Sequence, residues 1–116
     1  MNIEEMKNII CKALSEKKGE DITILNVSHL TTVADYFIIC SGKSAPQVRA
    51  LAENVDEVLS KKHGIEPNHR DGENEGRWIV VDYGSIMLHV FRDDMRMMYC
   101  LEKLWGDGTN VEKYTE

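Results

Sequence analysis

The chain has 116 residues, 42% of them apolar and 29% charged, which fits one globular domain with a modest core and excludes both a disordered polymer and a two-domain protein. Fourteen Lys and Arg stand against 20 Asp and Glu, a net charge of −6, which argues against a broad grip on nucleic-acid phosphates and favours encounter with a basic protein. Cys11, Cys40 and Cys100 form no Cys-x-x-Cys pair, and the acidic start Met1-Asn2-Ile3-Glu4-Glu5 is unlike a secretory or transit signal. No apolar run reaches the roughly 20 residues of a membrane span, so a reducing, cytoplasmic address is expected.

Ile3, Met6, Ile9, Ile10, Ala13 and Leu14 recur at helical spacing after the candidate cap Asn2, and Lys17-Lys18-Gly19 closes that first helix. Two short runs rich in β-branched and aromatic residues follow, at positions 22–27 and 36–40, and both are expected as strands. A second helix is expected from the cap Ser44, with Pro46 in its first turn and Val48, Leu51, Ala52, Val55 and Leu59 on one side, ending at Lys61-Lys62-His63-Gly64. Positions 67–76 are polar and glycine-punctuated and read as a loop, with a short strand considered at Ile65-Glu66.

Positions 77–83 and 86–91 are strand-like and joined by Gly84-Ser85, which suits a type II′ hairpin. Asp93 or Asp94 is the expected cap of a third helix, whose apolar side is Met97, Met98, Leu101, Leu104 and Trp105, with Gly106 as its stop. The expected fold is therefore α/β, a mixed sheet flanked by helices in the order α-β-β-α-β-β-α. Residues 1–106 form a single domain in this reading, and residues 107–116 form a polar, frayed C-terminal tail.

Alternation along the hairpin puts Ile79, Val81 and Tyr83 on one side of the sheet and Trp78, Val80 and Asp82 on the other. In the partner strand Ile86, Leu88 and Val90 oppose Met87, His89 and Phe91. If the aliphatic rows face the helices, the opposite face carries Trp78, Val80, Asp82, Met87, His89 and Phe91, a composition matching the centre of a protein interface. The alternative is a second layer that covers this face as core, with Asp82 and His89 hydrogen-bonded internally.

Several fragments imitate catalytic motifs. Ser41-Gly42-Lys43-Ser44 has the end of a phosphate-binding loop, but Phe37 stands where that loop needs its first glycine, so a capping turn is expected. His69-Arg70-Asp71 spells part of a kinase catalytic loop in a chain too short for the rest of a kinase. The four histidines lack zinc spacing, and neither Asp35 nor Asp82 is followed two positions on by a second carboxylate. No metal, cofactor or catalytic residue is expected.

Four ordered blocks carry a family resemblance: Ala34-Asp35-Tyr36-Phe37-Ile38-Ile39-Cys40-Ser41-Gly42, Gly76-Arg77-Trp78-Ile79-Val80-Val81-Asp82-Tyr83-Gly84, His89-Val90-Phe91, and Tyr99-Cys100-Leu101-Glu102-Lys103-Leu104-Trp105. Together they resemble the ribosomal silencing factor (RsfS, Iojap) family over nearly the whole chain. The resemblance implies a nucleotidyltransferase-like α/β fold without established catalysis. It also implies binding to large-subunit ribosomal protein number fourteen in the universal naming, at the intersubunit face, which blocks joining of the small subunit and represses translation.

Carried onto this chain, the implied partner-contacting residues are Trp78, Val80, Asp82 and Tyr83, with His89, Arg96, Tyr99 and Trp105; Met87 joins them by alternation alone. Ser85 stands where the family frequently has an acid, and Met97 where an aromatic is commoner. Two alternatives stay open: a magnesium-dependent nucleotidyl transferase, and a homodimer in which the same face pairs with itself.

Overall fold

A computed structural model of the chain describes residues 2–115. Met1, at the start of the N-terminal segment read above, and Glu116, the last residue of the expected tail, lie outside the described residues. The first helix, α1, spans Ile3–Glu16, and the Asn2 side chain accepts from Glu5 N at 2.8 Å to satisfy one of the orphan donors of its first turn. Strands β1 (Glu20–Asn26) and β2 (Tyr36–Gly42) follow and pair antiparallel.

The second helix, α2, spans Ala45–His63. Ser44 Oγ accepts from Gln47 N, and Gly64 ends the helix in the left-handed conformation at φ 66°. The fragment Gly42-Lys43-Ser44 is thus a capping turn. Strands β3 (His69–Asp71), β4 (Trp78–Asp82) and β5 (Ile86–Arg92) come next, with Tyr83 N donating to Ile86 O across the hairpin. Gly84 is the loop residue with positive φ, 88°, as a type II′ turn requires.

The sheet has six strands in the order β3-β4-β5-β2-β1-β6, where β6 is Val111–Lys113. Only β2 and β5 run parallel; α2 makes the crossover between β2 and the β3–β5 meander. The expected mixed sheet flanked by helices is present, and four readings are corrected. The segment read as a loop contains β3, at His69–Asp71 rather than at Ile65-Glu66. Part of the expected tail is β6, paired antiparallel with β1.

The third correction is the last helix, which breaks at Cys100 (φ 47°, ψ 57°) into α3 (Asp93–Tyr99) and α4 (Leu101–Trp105). Neither Asp93 nor Asp94 is its cap; Arg92 holds that position without a side-chain cap bond. Finally, the apolar side expected on it is split: Leu101 is buried and Trp105 half-buried, whereas Met97, Met98 and Leu104 are 82%, 72% and 72% exposed.

Helices α1 and α2 cover one face of the sheet. Val48, Leu51, Ala52, Val55 and Leu59 from α2 meet Ile38, Cys40, Ile79, Val81, Leu88 and Val90 from the strands. Each fully buried Val, Leu or Ile there contributes about 1.5–3 kcal/mol through the water it sheds. This layer fixes β4 and β5 in register, so whatever the hairpin presents on its other face is held on a rigid support.

The second sheet face and its half-open aromatic patch

Pairing sorts the second face into three cross-strand rows. Asp82, Met87, Phe37 and Leu25 form the first, Val80, His89, Ile39 and Thr23 the second, and Trp78, Phe91 and Ser41 the third. Strand β3 extends two of them, because His69 pairs with Asp82 and Asp71 with Val80. The fragment that imitates a kinase loop is therefore the exposed margin of this face.

Cover is unequal. Leu101 with Trp105 packs on Leu25, Val27, Ala34, Phe37 and Ile39, so α4 roofs the β1–β2 half. Trp78, Val80, Asp82 and Met87 stay half-buried on the β4–β5 side. Both sequence alternatives are thus partly realised: one half of the face is core, and the other is open.

An aromatic cluster marks the boundary between the halves. The Trp78 ring stacks on Phe91 at 4.9 Å between centroids, and Tyr99 of α3 approaches it at 4.8 Å. Trp105 stands edge-on to Phe37 at 5.4 Å. Trp78 Nε1 donates to His89 Nδ1 at 3.1 Å. Burial holds His89 neutral, with its pKa pushed down to about 4.

Among the residues predicted for the site, Trp78, Val80, Asp82, Met87, Tyr99 and Trp105 are brought together here. His89 belongs to the same cluster but is 5% exposed, and Phe91 is fully buried. Asp82 Oδ1 accepts from Gly84 N at 2.8 Å rather than bonding His89, so the internal pair that the covered-face alternative required is not made. Tyr83 points the other way: its ring joins the helical core and its hydroxyl donates to Asp56 Oδ1. Alternation placed Tyr83 on this side of the sheet, where it lies.

Arg96 does not reach the surface. Its guanidinium donates to Asp21 O at 2.6 Å, Ser41 Oγ at 2.9 Å, Thr23 Oγ1 at 2.9 Å and Glu102 Oε1 at 2.9 Å. It spends its donors tying α3 and α4 to β1 and β2. The Asp21 carboxylate, held below the usual carboxylate range chiefly by the Lys113 ammonium that hydrogen-bonds to it, joins β6 to the same network.

Met97, Met98 and Leu104 were expected to be core and are instead exposed on α3 and α4. Their helical spacing is real, but a 5-residue and a 7-residue helix cannot keep one phase across a left-handed residue. Among the described residues, no group of three or more His, Cys, Asp or Glu is placed to hold a metal. Nor is any helix long and apolar enough to cross a membrane.

These features define a mixed-sheet α/β protein whose one open face is apolar and aromatic with acidic margins. The family model described as ribosomal silencing factor during starvation matches residues 1–116. Ribosomal silencing factor RsfS of Bacillus subtilis is 41% identical over 108 residues, covering 93% of this chain and 91% of that protein. The corresponding protein of Halalkalibacterium halodurans is 38% identical over 112 residues, covering 97% and 95%. A crystal structure of a Chromobacterium violaceum protein superposes with a TM-score of 0.87 at 37% identity, covering 91% of this chain and 88% of that one. The chain belongs to the ribosomal silencing factor family.

Proposed function

We propose that this protein silences translation without catalysis, by docking on the large ribosomal subunit and standing where the small subunit must join. Support comes from family membership together with one observation: Trp78, Val80 and Met87 lie half-open on the sheet, Tyr99 of α3 packs on Trp78, and Met97, Met98 and Leu104 on α3 and α4 are exposed. Exposed apolar groups collected around a tryptophan and rimmed by polar side chains are the usual anatomy of an interface centre.

The partner is a basic surface in this reading, and the resemblance names large-subunit ribosomal protein number fourteen. Asp82 on β4 and Asp71 on the adjacent β3 supply acidic margins on a chain of net charge −6, which speeds encounter with a basic protein and fixes its register. Silencing then needs no bond chemistry, because a bound body of this size excludes a second subunit from the same surface.

Co-sedimentation with separated subunits tests the reading. Wild type is expected with large subunits and not with small ones, and Trp78→Ala is expected to bind about 30-fold more weakly, the loss of a hot-spot aromatic worth about 2 kcal/mol. A folded Trp78→Ala variant that sediments as well as wild type removes this face from the site. Self-pairing through the same patch is separated by mass across a dilution series with and without large subunits: docking predicts one copy per subunit.

A further inference from the structure

Trp78 is held by a side chain that a partner cannot touch. His89 sits in the middle row of the sheet, 5% exposed, between Val80 and Ile39. An indole N–H only donates, so the 3.1 Å bond from Trp78 Nε1 requires an unprotonated Nδ1 and leaves the hydrogen of the neutral ring on Nε2. That Nε2 is buried and, among the described residues, has no hydrogen-bond partner.

A histidine in this setting is a poor choice for stability alone. Leucine or phenylalanine would fill the space between Phe37 and Phe91 without burying an orphaned donor. What histidine adds over either is an acceptor aimed at the indole. The Phe91 ring stacks on Trp78 and the Tyr99 ring lies tilted against it, while the indole N–H goes to His89.

We propose that His89 is a positioning residue for docking: its neutral ring fixes the Trp78 indole in the orientation that the partner meets. The inference rests on the reading of Trp78 as the docking anchor. Fixing the indole before contact removes an ordering cost that a free rotamer would incur on binding. The unpaired Nε2 is the compromise that this arrangement carries inside the free protein.

The test compares wild type with His89→Leu, which keeps bulk and removes the acceptor, and His89→Asn, whose side-chain oxygen can take the place of Nδ1. Two readouts are needed: solvent exchange of the Trp78 indole N–H by NMR, and affinity for isolated large subunits. His89→Leu is expected to speed indole exchange and to weaken binding about tenfold, the effect of one lost hydrogen bond plus the order it imposed. His89→Asn is expected to restore most of both.

Unchanged indole exchange in folded His89→Leu overturns the proposal, and so does faster exchange with full affinity. If His89→Leu does not fold, His89→Asn decides: protected indole with near wild-type affinity supports the proposal, and protected indole with lost affinity overturns it. Full binding by Trp78→Ala would sink the docking reading itself, and with it this role of His89, while the exchange data still report whether the two side chains are coupled.

Discussion

Replacing Arg96 by methionine, which keeps the length of the aliphatic stem and deletes the guanidinium, should unlatch the second layer from the sheet. Four donors within 2.9 Å of their acceptors are lost, and the residue is 7% exposed. Thr23 Oγ1 keeps its bond from Lys113 Nζ and the Asp21 carbonyl keeps one from Thr23 Oγ1, but Ser41 Oγ loses its partner. Removing one partner of a buried ion pair typically costs about 3–5 kcal/mol. Glu102 is 24% exposed at its side chain, so water can take over part of its charge, which puts the loss near the lower end, about 3 kcal/mol. For a domain of this size that corresponds to a fall in melting temperature of about 10 °C. Urea denaturation followed by circular dichroism measures it directly. A loss below about 1 kcal/mol, the worth of a single ordinary hydrogen bond, would refute the view of Arg96 as the structural hub. Unfolding is not expected, since α1 and α2 retain their own core.

His89 should write a pH dependence into stability. Its native pKa is about 4 because burial penalises the imidazolium, whereas an unfolded histidine titrates near about 6.5. Between those values the unfolded chain takes up a proton that the native chain refuses, so stability falls as pH drops from about 6.5 to about 4, by about 3 kcal/mol in all. Urea midpoints for wild type and His89→Leu over that range check it; parallel profiles would contradict it. Thiol titration gives another prediction. Cys11 and Cys40 are fully buried, with pKa values pushed up to about 12 by desolvation, while Cys100 is half-exposed. An aromatic disulfide reagent should therefore label Cys100 alone in the native protein and all three thiols in urea. Rapid native labelling of Cys11 or Cys40 would mean that the α1–α2 layer opens.

Much of the scaffold was legible because its signals are local. Asn2 and Ser44 cap helices through their own side chains, Gly64 ends one in the left-handed conformation that residues with a Cβ rarely adopt, and Gly84 turns the hairpin. Alternation also placed Ile79, Val81 and Tyr83 in the helical core. What escaped depends on distant partners. Strands β3 and β6 are three residues each and carry no apolar alternation; they exist because β4 and β1 offer free edges. The break at Cys100 lacks a Gly or Pro to announce it, so Met97, Met98 and Leu104 were assigned to the core. The buried network around Arg96 was not legible because its acceptors, Asp21, Thr23, Ser41 and Glu102, are scattered across the chain. For the open face, periodicity showed which side of each strand was available, and only the packing of α3 and α4 showed how much of it stays uncovered.

Co-sedimentation with purified large subunits, wild type beside Asp82→Lys, tests docking through this face most directly. Circular dichroism controls for the lost turn bond to Gly84 N, worth about 1 kcal/mol. Docking through this face predicts that the charge reversal leaves the protein folded and moves it from the large-subunit fraction to the free fraction at physiological salt. A folded Asp82→Lys protein that stays with the large subunit as fully as wild type would contradict it.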